Sequence, residues 1–276
     1  AQVVKLLFST TDGIGLTLIR NRIPFRESTQ YNDAFMAKDA SGRYTYTSSG
    51  GHKSFNLNWS NWDLQNTKTL FSLASAYSPQ IRGFSTPWTP PNNQFDRWKI
   101  DDAANGNTVG GTVGNISNWP DIGGVLDSQH YQDYADVLAD YAKGFQAQMG
   151  YPLMAVSIQN EPNYLPKTYE SAGWSAAQFS AFLPALSKAW QAKGVSTPVI
   201  APESFNFNDS LIAPALSDSS LAPLVSIVGV HQYQSDMSKA YQAASWLTAT
   251  KTKAKRLWVT ELSSGENNDA SITDGL

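Results

Sequence analysis

Met154-Ala155-Val156-Ser157-Ile158-Gln159-Asn160-Glu161-Pro162 changes character halfway along. It opens as a short apolar run with β-branched members, then turns to Gln-Asn-Glu-Pro. A run of that length reads as a strand buried on both faces, the kind found in a parallel sheet. Proline cannot donate to the hydrogen-bond ladder, so the strand is expected to stop at Pro162. Glu161 then stands at the carboxyl end of a buried strand, where barrel enzymes carry their chemistry. A hundred residues on, Leu257-Trp258-Val259-Thr260 runs into Glu261 in the same form.

Four further stretches share this layout. Leu16-Thr17-Leu18-Ile19 leads to Arg20-Asn21-Arg22-Ile23-Pro24. Gln80-Ile81-Arg82-Gly83-Phe84-Ser85 opens into Thr86-Pro87-Trp88. Pro198-Val199-Ile200-Ala201 leads to Pro202-Glu203-Ser204-Phe205, and residues 225–230 run into His231-Gln232-Tyr233. Helical spacing of apolar residues falls between most of them. Residues 2–9 read as the end of a helix. Helices are expected over residues 63–76, from Tyr131 to a stop at Gly150, after Ser175 to a stop at Gly194, and over 240–248. Ser175 with Gln178 makes a capping box, and Pro184 should kink or shorten the helix that follows. Residues 27–61 and 92–124 are polar, rich in Ser, Asn and Gly, and read as long loops over one face. Six buried strands alternating with helices imply a parallel sheet with helices outside. No Gly-rich phosphate turn follows the first strand, and polar chemistry sits at every strand end. A (β/α)8 barrel is therefore expected rather than an open nucleotide-binding sheet, as one domain over residues 1–276.

Composition narrows the function. The chain has 276 residues, 41% hydrophobic and 16% charged, with a formal net charge of -3. There is no basic footprint for nucleic acid and no apolar stretch long enough to cross a membrane. Residues 1–4 carry no signal-peptide pattern. Zero cysteines exclude disulfides, thiolate metal sites and thiol nucleophiles. The three histidines form no His-x-x-x-His pair, so no metal and no cofactor are expected. No Gly-x-Ser-x-Gly elbow supports a serine hydrolase. Nine Trp and twelve Tyr on a weakly charged chain suit sugar rings, or fill the core.

Only six glutamates are present, so two directly after buried strands point to a carboxylate pair. Retaining cleavage of a glycosidic bond needs one carboxylic acid and one carboxylate about 5–5.5 Å apart. Glu203 is the rival, or else a carboxylate binding a neighbouring loop or Arg. Glu27, Glu170 and Glu266 lie in polar segments and read as solvated. Arg20 is either a buried structural charge or the partner of a carboxylate. His231 either bonds within the core or orients a catalytic group. Trp88, Trp174, Tyr164 and Tyr233 either pack or stack on sugar.

Ile158-Gln159-Asn160-Glu161-Pro162, Ile200-Ala201-Pro202-Glu203-Ser204-Phe205 and Trp258-Val259-Thr260-Glu261 resemble glycoside hydrolase family 30, in the clan of retaining (β/α)8 glycosidases. Arg20-Asn21-Arg22-Ile23, Ser85-Thr86-Pro87-Trp88 and His231-Gln232-Tyr233 fit the same family in order, so the resemblance runs over residues 16–265. It implies Glu161 as acid/base and Glu261 as nucleophile. Asn160 would contact the sugar 2-hydroxyl, Trp88 and Tyr233 would line the neighbouring subsite, and Arg20 and His231 would support the nucleophile end. The endo-β-1,4-xylanase branch is most similar, which implies xylan as partner and a secreted protein. β-1,6-Glucanases, galactanases and glucosylceramidases share the clan residues. The motifs begin with the family's second strand and end with its seventh. An incomplete barrel is therefore expected, without the first and eighth strands or the side β-domain, its gap open to another segment or chain. A carbohydrate-binding fragment without turnover is the reading from another class.

Overall fold

The computed structural model describes residues 2–27, 34–208, 210–233 and 255–262. A short helix, α1 (Gln2–Phe8), precedes the first sheet strand, β1 (Leu18–Ile23). A hairpin of β2 (Tyr46–Ser49) and β3 (His52–Phe55) leads to α2 (Trp62–Ser75) and β4 (Arg82–Pro87). The following insertion carries β5 (Lys99–Ile100), β6 (Thr112–Val113), β7 (Ile116–Ser117) and β8 (Val125–Leu126), paired antiparallel as β5 with β8 and β6 with β7. Then come α3 (Tyr131–Met149), β9 (Leu153–Ser157), α4 (Ala176–Lys193), β10 (Val199–Ile200), α5 (Ala213–Ser217), β11 (Ile227–His231) and β12 (Arg256–Glu261).

The six long-range strands form one sheet in the order β1-β4-β9-β10-β11-β12, every pair parallel. Sequence order equals spatial order, as in a (β/α)8 barrel built one unit at a time. Among the described residues β1 and β12 do not pair with each other, so the sheet is part of a barrel wall.

Side-chain alternation sorts the strands into two faces. Ile19, Val156, Val199 and Val228 point outward into the main core, against Phe71 of α2, Tyr141 and Phe145 of α3, and Phe182 and Leu186 of α4. Asn21 and Ser85 point the same way, both bonded to the Tyr141 hydroxyl, at 2.8 and 2.9 Å. The inner face holds a small apolar layer of Phe84, Ala155, Ile200 and Ile227, with Trp258 against it. Arg20 lies on this inner face, one position from both Ile19 and Asn21.

The helix ends follow their signals. Ser175 and Gln178 form the expected capping box, and Gly150 closes α3 in the left-handed conformation at φ 84°. Pro184 does not shorten α4, which runs unbroken from Ala176 to Lys193. Its ring falls on the solvent-facing side between buried Leu183 and Leu186, where one missing helix hydrogen bond is tolerated. The expected loop over 27–61 holds regular structure within residues 34–61, where the β2–β3 hairpin packs on α3 through the Asp136 and Asp140 carboxylates. The expected helix over 240–248 lies outside the described residues.

Candidate active site

Three local features bring the strand-end residues together. Arg20 sits within β1 rather than after it, paired in register with Phe84, so its guanidinium reaches across the inner face. Glu161 and Glu203 adopt the left-handed backbone region, at φ 47° and 60°. That conformation is costly for a side chain of this kind and is kept where the surroundings enforce it, commonly at functional sites. The surroundings here are the Glu161 N–H bonding to the Glu203 carbonyl at 3.0 Å and the Glu203 N–H bonding to the Gly229 carbonyl at 2.9 Å. Finally, β11 and β12 slip register between Val230 and His231, so that His231 pairs with Glu261 instead of Thr260. Paired residues share a face, and a slip of one residue reverses it, so this bulge turns Glu261 toward His231.

Arg20 is the hub of the cluster. One nitrogen of its guanidinium donates to Glu261 Oε2, and the other donates to Asn160 Oδ1 at 2.6 Å and to Glu203 Oε1 at 3.0 Å. The indole of Trp88 lies under it, 4.6 Å from guanidinium carbon to ring centroid. Glu261 accepts a second hydrogen bond on Oε1, from the Tyr233 hydroxyl at 2.8 Å. His231 is fully buried. Its Nδ1 meets Glu161 Oε1 at 2.9 Å, while Nε2 lies 3.7 Å from Glu203 and 3.9 Å from Glu261. The ring therefore touches Glu161 more closely than the Glu261 end to which the resemblance had put it.

Burial alone raises the Glu203 carboxyl, but the Arg20 charge and the nearness of His231 outweigh it and hold it at about 2. Burial disfavours the charged His231 ring, and its approach to Glu161 and Glu203 more than offsets this, so its pKa is raised. Glu203 is thus a buried anion locked to Arg20, matching the reading of a carboxylate on a neighbouring Arg.

Sequence spacing offered no three-ligand metal set, but the fold brings one together. Glu161, His231 and Glu261 each present a ligand atom, all within 4.8 Å of one another. Of these three, Glu261 is also bound by the Arg20 guanidinium.

The aromatic candidates divide. Tyr164 is half-exposed and stacks on Phe205 at 4.3 Å, and Phe205 stacks on Tyr233 at 5.2 Å. Phe205, which sequence reasoning did not single out, thus joins the loop after Glu161 to the tyrosine on Glu261. Its signal was its place in the Glu203-Ser204-Phe205 strand end. Trp174 is elsewhere: it is buried among Tyr131, Tyr134, Phe179 and Phe182, with 3% of its surface exposed, and packs rather than faces a cleft. Two glutamates read as solvated are ion-paired instead. Glu27 holds Lys38 and the Tyr44 hydroxyl, and Glu170 holds Arg22 at 3.0 Å, because folding brings the polar loops against one another. Glu266 lies outside the described residues.

No family model matches the chain. The glucuronoxylanase XynC of Bacillus subtilis is 28% identical over 215 residues, covering 77% of this chain and 43% of that protein. The glycoside hydrolase family 30 subfamily 8 xylanase Xyn30A of Clostridium acetobutylicum superposes with a TM-score of 0.57 at 25% identity, over 98% of this chain and 53% of that one. The endo-β1,6-glucanase BT3312 superposes with a TM-score of 0.69 over 97% of this chain and 54% of that one; at 21% identity it shows the fold alone. The chain spans less than half the length of the curated relatives it matches. In fold and in the order of its motifs the chain is similar to these enzymes, among them the glycoside hydrolase family 30 xylanase.

Proposed function

We propose that the chain is a retaining glycoside hydrolase that cleaves a β-linked plant cell-wall polysaccharide, xylan first, with Glu161 as acid/base and Glu261 as nucleophile. The observation that carries this reading is the pair itself: carboxylate oxygens of Glu161 and Glu261 lie within 4.8 Å across one polar cluster. That spacing suits direct attack by a carboxylate, since retaining pairs stand closer together than inverting ones.

The surroundings differentiate the two roles. Glu261 accepts from Arg20 and Tyr233, two donors that suit a carboxylate attacking as an anion. Glu161 has His231 as its one side-chain partner among the described residues, leaving its second oxygen for a leaving group. In the first step Glu161 gives its proton to the glycosidic oxygen while Glu261 bonds to the anomeric carbon. In the second, Glu161 takes a proton from water, which attacks that carbon and releases Glu261. Asn160, held by Arg20 through its oxygen, has an amide nitrogen with no protein partner among the described residues, placed to bond a sugar hydroxyl. Xylan is put first because XynC is a glucuronoxylanase and Xyn30A a xylanase. A secreted protein is the reading that a polymeric substrate implies.

The test is a pair of variants on aryl β-xylobiosides. With a good leaving group, Glu161→Ala should keep the first step and slow the second, a loss that added azide repairs. Glu261→Ala should lose about 10⁴-fold or more on every substrate. Equal losses that azide does not repair would reject the role assignment.

A further inference from the structure

The long segments after β1 and β4 enclose a second cavity of about 780 Å³. None of Arg20, Trp88, Glu161, Glu203, His231 or Glu261 lines it. Its walls combine an aromatic platform with uncommitted polar groups. Phe95 lines it with 47% of its surface exposed, yet its position is set. The ring lies directly on the backbone of Gly42, where an added Cβ would come within 2.4 Å of Phe95 Cδ2. The Phe95 N–H donates to Asn93 Oδ1 at 2.7 Å, and its carbonyl accepts from Arg43 Nη1 at 3.0 Å. Trp119 also lines the cavity, its indole N–H committed to Asp121. Around them Gln94, Arg97 and Asn118 make no hydrogen bond or ion pair among the described residues.

A flat ring fixed with an open face, ringed by amide and guanidinium donors, matches a pyranose, which has an apolar face and hydroxyls around its edge. The wall is no cationic cluster for a strongly anionic ligand: Lys38 is paired with Glu27, the buried Lys99 Nζ donates to the Ser171 carbonyl and Asp101 adds a carboxylate, which leaves the Arg97 guanidinium as the one cation without a partner among the described residues. Only three residues separate Trp88 from Asn92 in the cavity wall, so the two places lie within about 14 Å along the chain. A polymer spans that distance; a short glycoside does not.

We propose that this cavity is a distal binding site for the polysaccharide backbone, with one sugar ring lying on Phe95 and its hydroxyls taken by Gln94, Arg97 and Asn118. The proposal rests on the polysaccharide reading above and adds a second place where the same polymer is held. Phe95→Ala should raise KM for glucuronoxylan roughly three- to tenfold, as loss of one aromatic contact implies, while kcat/KM on an aryl β-xylobioside stays within about twofold. Phe95→Trp should restore the polymer KM, and the Gln94→Ala/Arg97→Ala pair should raise it again. An unchanged polymer KM in Phe95→Ala, or parallel losses on both substrates, would overturn the proposal. Co-sedimentation with insoluble xylan separates the two readings. If the parent turns over neither substrate but binds xylan and Phe95→Ala does not, the distal site stands and the hydrolase reading falls. Equal binding by parent and variant removes the distal site.

Discussion

Arg20 decides the electrostatics of the cluster, since one guanidinium ties Glu203, Glu261 and Asn160. Its anchor is Glu203, whose folded pKa of about 2 lies below the ordinary 4.5. A depressed carboxyl contributes stability that is fully present above about pH 4.5 and is lost as pH falls toward 2. His231 has the opposite sign: its raised pKa contributes stability below the unfolded value near 6.5, lost as pH rises through the folded one. Glu203→Gln should therefore lower stability at pH 7 by about 3 kcal/mol, because Arg20 loses a buried partner, and should flatten the melting-temperature profile between pH 4.5 and 2. Thermal melts across that range check it, and a variant with the parent's profile would refute the anchoring role. At this scale the two glutamates were legible because each ends an apolar run, one of them against a proline. The left-handed backbone at Glu161 and Glu203 was not, since a positive φ at Glu is imposed by neighbouring strands rather than encoded locally.

At the level of elements, the strand ends act together through side chains rather than backbone. Tyr164 after β9, Phe205 after β10 and Tyr233 after β11 form a continuous stack that finishes on the Glu261 carboxylate. Phe205 has an aromatic neighbour on each side, so it positions Tyr233 rather than touching sugar. Phe205→Ala should lower kcat on the aryl β-xylobioside about tenfold with little change in KM, and Phe205→Tyr should recover most of it. A KM effect alone would mean that the ring binds substrate. The six strands and most helices were readable from apolar runs, caps and stops, although β1 begins and ends later than its apolar residues suggest. The β2–β3 hairpin escaped because its strands are largely exposed or half-exposed, with no buried alternation to mark them. The β11 bulge escaped because register is a property of two strands, and neither sequence alone records it.

Across the whole molecule, the sheet is a run of six parallel strands whose outer edges are β1 and β12. Leu18 on β1 and Val259 on β12 expose 36% and 50% of their surfaces, and apolar residues on edges that are unpaired among the described residues favour pairing with another chain. This chain should self-associate as concentration rises, and Leu18→Lys with Val259→Lys should suppress it, as light scattering against concentration would read. No change in the double variant would place the contact elsewhere. The run of six parallel strands was legible from which motifs are present and in what order. The distal cavity was not, because it assembles residues of two polar segments that carry no shared pattern. All of this turns on whether Glu161 and Glu261 form a working pair. The experiment is incubation of the purified chain with glucuronoxylan, linear arabinoxylan and a β-1,6-glucan, with Glu261→Ala as control and the products resolved. Xylo-oligosaccharides that disappear in the variant are the expected result. Products that persist in Glu261→Ala, or no product from any polymer, would contradict it.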